Sequence, residues 1–284
     1  MKRLMLHQHR MIQNMKNQES NLQHPDERHN VKLTLSYDGT SYYGFQSQDH
    51  GNTIEDRLRE AIGTIVKTAP SEVKLVTAGR TDTGVHAEAQ CVNFFSDNRM
   101  HPMNWFLALN SLLPDDIRIQ NVEFADDGFN ARRSALYREY LYQIVNNSSI
   151  SALDNRYCVH IYREIPDIGS LNQYAAHFSG ERDWTSFCAI GDQNRTKTRM
   201  IYKTEFIRLG EHKIGMRIVG NAFLQHQVRI IVGTIIDMAV KGVPHEELER
   251  IIEAKDRTQA GVTFSPKGLI LKKIYYTDEL NLIK

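Results

Sequence analysis

The chain is short of cysteine, of net charge and of long apolar runs, and each shortage closes off a class of protein. Its three cysteines, Cys91, Cys158 and Cys188, are odd in number and widely spaced, and no CxxC pair occurs. That excludes a disulfide framework and a clustered-cysteine zinc site, and it fits a reducing compartment such as the cytoplasm. No apolar run approaches the ~20 residues of a membrane-spanning helix, so no membrane association is expected. Net charge is only +1 over 284 residues. A chain without a global basic excess can bind nucleic acid only through local patches.

What little surplus there is sits at the N-terminus. Residues 1–30 carry five Lys/Arg against three acids, and the remaining 254 carry 30 against 31. The same segment holds four of the nine methionines and four of the twelve histidines, with no sustained apolar period. Leu4, Met5 and Leu6 are too short a stretch for a secretory signal. The segment reads as a disordered extension.

Regular pattern starts near Val31. Val31, Leu33, Leu35 and Tyr37 alternate with polar residues, the period of a half-buried strand. Thr53-Ile-Glu-Asp56 opens a helix, with Thr53 as N-cap and Asp56 closing a capping box. Strands are predicted at 75–78, 89–95, 117–124 and 139–145, with a helix over 105–112. Further on, a helix face over 171–178 is closed by Gly180. Strands follow at 198–208 and 213–219, then a long amphipathic helix over 224–238 ending at Gly242, another helix after Pro244, and a closing strand over 269–276. Strands interleaved with helices through short turns predict an α+β fold of two halves with mainly antiparallel sheets. The division falls into an N-terminal unit, 31–135, and a C-terminal unit, 136–284. Whether the halves share one sheet is not decided by pattern.

The segment richest in chemistry is Ala78-Gly-Arg-Thr-Asp-Thr-Gly-Val-His-Ala87. Glycines on either side of Arg80 and Asp82 permit tight turns and close approach of a ligand. A carboxylate in such a loop can serve as nucleophile, general base or metal ligand. Only His86 and Glu88 lie near enough in sequence to join Asp82 on a metal, which is a thin ligand set.

This string closely resembles the GRTDxGVHA motif of the TruA-type tRNA pseudouridine synthases. Six others follow the same family in order. Tyr37-Asp-Gly-Thr-Ser-Tyr-Tyr-Gly-Phe-Gln46 resembles its YDGTxFxGxQ opening, with Phe45 where Trp is usual. Phe129-Asn-Ala-Arg132 resembles FxAR, Tyr137-Arg-Glu-Tyr-Leu-Tyr142 resembles RxYxY, and Asp183-Trp-Thr-Ser-Phe187 resembles DFxSF. The run from Gly220 to Gly233 resembles GxxFLxxMVRxIVG, and Ser265-Pro-Lys-Gly-Leu269 resembles APxxGL. Four residues depart from the pattern: Arg133, Trp184, Gln225 and Gln227.

The resemblance implies two similar α+β halves meeting in a central catalytic cleft, and a homodimer. It implies isomerisation of uridine to pseudouridine at positions 38, 39 and 40 of the tRNA anticodon stem-loop, with no metal or organic cofactor. It makes Asp82 the catalytic aspartate, Arg80 a base-flipping residue in contact with RNA, and Tyr140 the aromatic that stacks on the uracil. A binding module with faded chemistry is the rival reading, and the intact loop around Asp82 speaks against it.

Elementary chemistry points to partners for these groups. Asp82 must be ionised, and a nearby cation would favour that; Arg229 is the candidate. Leu269, after a glycine, offers an apolar wall opposite Tyr140. Phosphate contacts need local cations. Arg132, Arg133 and Arg138 form one cluster, and Arg195, Lys197 and Arg199, with Lys203, form another.

Overall fold

The computed structural model describes residues 28–279 and 281. The expectation for the N-terminal extension lies, up to residue 27, outside the described residues. Strand β1 (His29–Tyr37) opens two residues before Val31, and its burial alternates as the sequence does. Helix α1 (Ile54–Val66) starts with the expected capping box: Thr53 accepts from the Asp56 N–H, and Asp56 accepts from the Thr53 N–H at 3.0 Å. A two-residue strand β2 (Val76–Thr77) precedes β3 (His86–Ser96), α2 (Pro102–Leu112) and β4 (Ile117–Ala125).

The second half begins with β5 (Tyr137–Asn146), a short α3 (Ala152–Tyr157), β6 (Val159–Ile161) and α4 (Ile168–Ala176). Next come β7 (Gly180–Asp183) and the hairpin of β8 (Thr198–Arg208) and β9 (Lys213–Gly220). Helices α5 (Gln227–Lys241) and α6 (Glu247–Ala254) lead to the closing strand β10 (Leu269–Tyr275).

The ten strands form one sheet. Its order is β4-β1-β3-β10-β5-β9-β8-β7, with β2 beside β3 and β6 beside β5. Neighbours are antiparallel except β3–β10 and β5–β6. The antiparallel sets of the two halves therefore meet edge to edge. The seam is the parallel pairing of Ile270 with His86 and Leu271 with Ala87. The last strand of the second half thus lies between the two.

Helix α2 packs on β4, α4 on β8, and α5 on α4 and β5. One continuous core follows, from Val31, Leu33 and Trp105 in the first half to Trp184, Ile231 and Ile235 in the second. Strand β5 shows how the faces divide. Tyr140, Tyr142 and Ile144 belong to that core, whereas Tyr137 packs on the far face with Val219 and Tyr275. The far face also carries an ion-pair network: Arg217 bonds Glu139 at 2.7 Å and Glu205 at 3.2 Å.

Candidate active site

The loop between β2 and β3 ends at the seam, and neighbouring elements hold it on every side. At its start, the Arg138 guanidinium donates to the Ala78 and Arg132 carbonyls at 2.9 Å each. It also donates to the carbonyls of Ala135 at 3.0 Å and Asn221 at 2.6 Å. Gln90 donates to the Gly79 carbonyl at 2.8 Å. The buried Thr81 hydroxyl meets the Tyr37 hydroxyl at 2.8 Å. The Thr81 carbonyl accepts from the Phe45 N–H at 3.1 Å.

That last contact explains Gly44. It sits at φ +89°, and a Cβ there would stand 2.6 Å from the Thr81 carbonyl oxygen. Only glycine combines this backbone with this approach. Thr81 therefore points inward, Arg80 and Thr83 point outward, and Asp82 lies half-buried between them.

Asp82 meets a cation from the other half of the molecule. Arg229, in the first turn of α5, places Nη1 3.0 Å from Asp82 Oδ2. Its Nε donates to the Phe264 carbonyl at 2.7 Å, and the Phe264 N–H donates back to the Arg229 carbonyl at 3.2 Å. The 261–264 segment can lie this close to α5 because residue 233 is glycine. A Cβ on Gly233 would fall 2.0 Å from the Val262 carbonyl oxygen. The pairing expected from sequence, Asp82 with Arg229, is thus present as a hydrogen-bonded ion pair across the seam.

Tyr140 stands beside the carboxylate. Its ring is buried and meets Phe223 edge-on, with centroids 5.3 Å apart at 89°. Its hydroxyl has no hydrogen-bond partner among the described residues. Burial first, then the nearby Tyr37 and the Asp82 charge, push this phenol above its ordinary range, so it stays neutral. Tyr142 and Tyr137 serve the frame: Tyr142 donates to the Ser265 carbonyl at 2.6 Å and Tyr137 to Asp278 at 3.0 Å. Leu269 is buried opposite Tyr142 in the register, on the core side of the seam.

The two basic clusters fare differently. Arg80, Arg132 and Arg133 are exposed, with no hydrogen-bond or ion-pair partner for their side chains among the described residues. Arg138 was expected at phosphate and is corrected here: it is buried and spends its guanidinium on four backbone carbonyls. Lys197 is half-buried and pairs with the Asp192 carboxylate. Arg199 folds onto the carbonyls of Thr196 at 3.0 Å and Thr198 at 2.6 Å. Of that cluster, Arg195 alone is exposed and unpaired among the described residues.

Two of the residues that depart from the family pattern are buried. Trp184 is fully buried and donates its indole N–H to the Arg199 carbonyl at 2.9 Å. Gln227 is buried at the start of α5, and its Oε1 accepts from the Leu224 N–H at 2.8 Å.

The sequence reading missed His226. Its Nε2 lies 3.7 Å from Asp82 Oδ2, on the same side of the carboxylate as Arg229. Its place three positions before Arg229 is no signal of a shared helical face, because His226 precedes the helix in the left-handed region, at φ +61°. Among the described residues, no group of three or more His, Cys, Asp and Glu side chains is arranged to hold a metal.

The chain is similar to known proteins over most of its length. The family model described as tRNA pseudouridine synthase matches residues 34–132 and 174–277, which include the Asp82 loop and Arg229. A tRNA pseudouridine synthase A from Bacillus subtilis is 37% identical over 246 residues, covering 87% of this chain and 98% of that protein. One from Brachyspira hyodysenteriae is 38% identical over 251 residues, covering 88% and 99%. A solved structure titled "Crystal Structure of a Cbf5-Nop10-Gar1 Complex" overlays with a TM-score of 0.39 at 12% identity. It covers 85% of this chain, which spans about half (48%) of that one. By the extent of the family match and by these relatives, the chain belongs to the tRNA pseudouridine synthase family.

Proposed function

We propose that this protein isomerises uridine to pseudouridine in the anticodon stem-loop of tRNA, with Asp82 as the nucleophile. The observation that carries the reading is the Asp82–Arg229 pair at 3.0 Å, built from opposite halves of the chain at the seam. A carboxylate held this way has a fixed direction and a charge balanced by a neighbour that cannot lose its own.

The chemistry follows from the atoms exchanged. The bond from N1 to the ribose C1′ breaks, the uracil turns, and a bond from C5 to C1′ forms. The C5 hydrogen leaves as a proton and N1 gains one. A uridine in folded RNA must first leave the stack. Arg80, exposed two residues before Asp82, is placed to take its position in the RNA or hold the phosphate beside it. The buried ring of Tyr140 then offers a stacking face next to the carboxylate, and Leu269 closes the apolar side.

Of the two expected clusters, Arg132, Arg133 and Arg195 are the exposed arginines without a side-chain partner among the described residues, and they are read as phosphate contacts. We further read the enzyme as a cytoplasmic homodimer. Its three cysteines are buried free thiols, as a reducing compartment keeps them. No helix among the described residues is long and apolar enough to cross a membrane. Helix α2 carries no charged side chain and leaves Leu107 and Leu112 exposed, a face suited to a second copy.

The test is to map pseudouridine in tRNA from cells with and without the protein, then to repeat the reaction with pure enzyme. Asp82→Asn should keep tRNA affinity and lose turnover by several orders of magnitude. Substantial isomerisation by that variant removes Asp82 from the chemistry. An unchanged tRNA map sinks the substrate assignment.

A further inference from the structure

Two features close to the site have no part in the account above. One is a backbone outlier. His226 sits at φ +61°, in the left-handed region that residues with a Cβ avoid, and it begins α5 without a side-chain cap. The other is a buried acid. Asp192, in the segment between Phe187 and β8, has a side chain only 3% exposed.

The two are joined. Asp192 Oδ2 accepts from the backbone N–H of Gln225 at 3.1 Å, next to His226 in the chain. The Gln225 carbonyl accepts from the Ala189 N–H at 3.0 Å. The Gln225 residue is therefore tied to the 189–192 segment through both its backbone groups. From within, Gln227 closes the same turn through the Leu224 N–H. A strained residue persists only where its surroundings over-determine it, and these bonds do so for His226. They leave its imidazole facing the Asp82 carboxylate.

Asp192 also gathers its own loop. Lys197 pairs with the carboxylate and donates to the Asp192 carbonyl at 2.8 Å. The Asn194 N–H and side-chain amide donate to the Asp192 carboxylate at 2.8 and 2.9 Å. Burial alone would raise this carboxyl, yet these donors and the Gln225 N–H hold it far below the carboxylate range. The loop so ordered displays Arg195 to solvent.

We propose that Asp192 is a positioning residue for the reaction: it links the loop that offers Arg195 to the RNA backbone with the turn that sets His226 beside Asp82. The inference rests on tRNA being the substrate. Phosphate contact at Arg195 and geometry at Asp82 are then two ends of one linkage, and what steadies one end steadies the other.

The experiment uses the full chain and tRNA carrying tritium at uracil C5, since that hydrogen is released on isomerisation. Asp192→Ala should weaken tRNA affinity about threefold to tenfold. It should also slow single-turnover release at saturating enzyme about tenfold, through displacement of the turn. Asp192→Asn keeps an acceptor for the Gln225 N–H and should recover most of that rate. The double variant with Arg195→Ala should bind no more weakly than Asp192→Ala alone, because both act on one contact.

Arg195→Ala by itself should lower the saturated rate about threefold as well as the affinity, whereas a plain phosphate contact moves affinity only. Weakened affinity with an undiminished saturated rate in Arg195→Ala overturns the linkage, whether or not Asp192→Ala folds. So do affinity losses that multiply in the double variant, or wild-type rates in both Asp192 variants. Absence of tritium release by the wild-type enzyme on any tRNA is a separate result, and it overturns the function instead.

Discussion

Tyr140 and Tyr142 share a strand face and a core, yet one hydroxyl is bonded to a carbonyl and the other is left open beside Asp82. If Tyr140 acts by stacking, Tyr140→Phe should stay close to wild type. Tyr140→Leu should lose ~1–3 kcal/mol of base binding. If the hydroxyl moves a proton, Phe should be nearly as damaging as Leu in single-turnover rate, with tRNA affinity preserved. The raised phenol pKa fixes the sign of any such role: a neutral hydroxyl can donate, and the rate should show no gain from a phenolate up to pH 9. Rates for both variants across that range decide the matter. Arg138 shows the limit of reading single residues. In sequence it is one of three arginines before a tyrosine strand; in the fold its guanidinium is spent on backbone carbonyls, among them that of Ala78 at the start of the Asp82 loop.

At the scale of elements, the site depends on how closely the 261–264 segment can lie on α5. Gly233→Ala would drive a methyl into the Val262 carbonyl, which sits 2.0 Å from the Cβ position. Overpacking of this kind costs about 1–3 kcal/mol. It should lower the rate as well, because the displaced Phe264 carbonyl orients Arg229. Thermal melts together with single-turnover rates check both, and a destabilised variant with full rate would show that Arg229 needs no such guide.

Long elements were legible before the structure. The period of β1 and the apolar face of α5 come from side chains whose burial repeats over several pleats or turns. Strands β6 and β7 and helix α3 have three, four and six residues, too few for a period to emerge. Asp82, Tyr140 and Arg229 were legible because a linear string carries them. His226 and Asp192 were not, because their importance lies in a backbone angle and in burial, which no spacing encodes. The pairing of Lys197 with Asp192, just upstream, was hidden for the same reason.

At the scale of the whole molecule, the halves are held by more than the seam. Asp38, after β1, accepts from Arg156 Nε at 2.8 Å and the Tyr157 hydroxyl at 3.0 Å, both at the end of α3 in the second half. Burial would raise the Asp38 carboxyl, but bonds from Thr40, Tyr157 and Arg156 bring it down to about 2. A depressed carboxyl contributes stability that is present above its unfolded value, ~3.9, and is lost as pH falls through about 2. Asp38→Asn should therefore flatten the fall in stability between about pH 4 and pH 2, read by urea unfolding at each pH. An unchanged acid limb would mean that this bridge adds nothing to the joining of the halves.

The parallel seam has a kinetic consequence. Until β10 arrives, the edge of β3 away from β1 is open at His86 and Ala87, since β2 covers only Val92 and Asn93. Strand β10 must reach that stretch across most of the chain, and such long-range closure is slow to form. Meanwhile an open strand edge invites pairing with other chains. Refolding should accordingly pass through a species with the first half formed, prone to aggregate in proportion to concentration. The ion pair at Asp82 likewise needs α5 of the second half brought to the loop of the first, so recovery of activity should lag behind recovery of secondary structure.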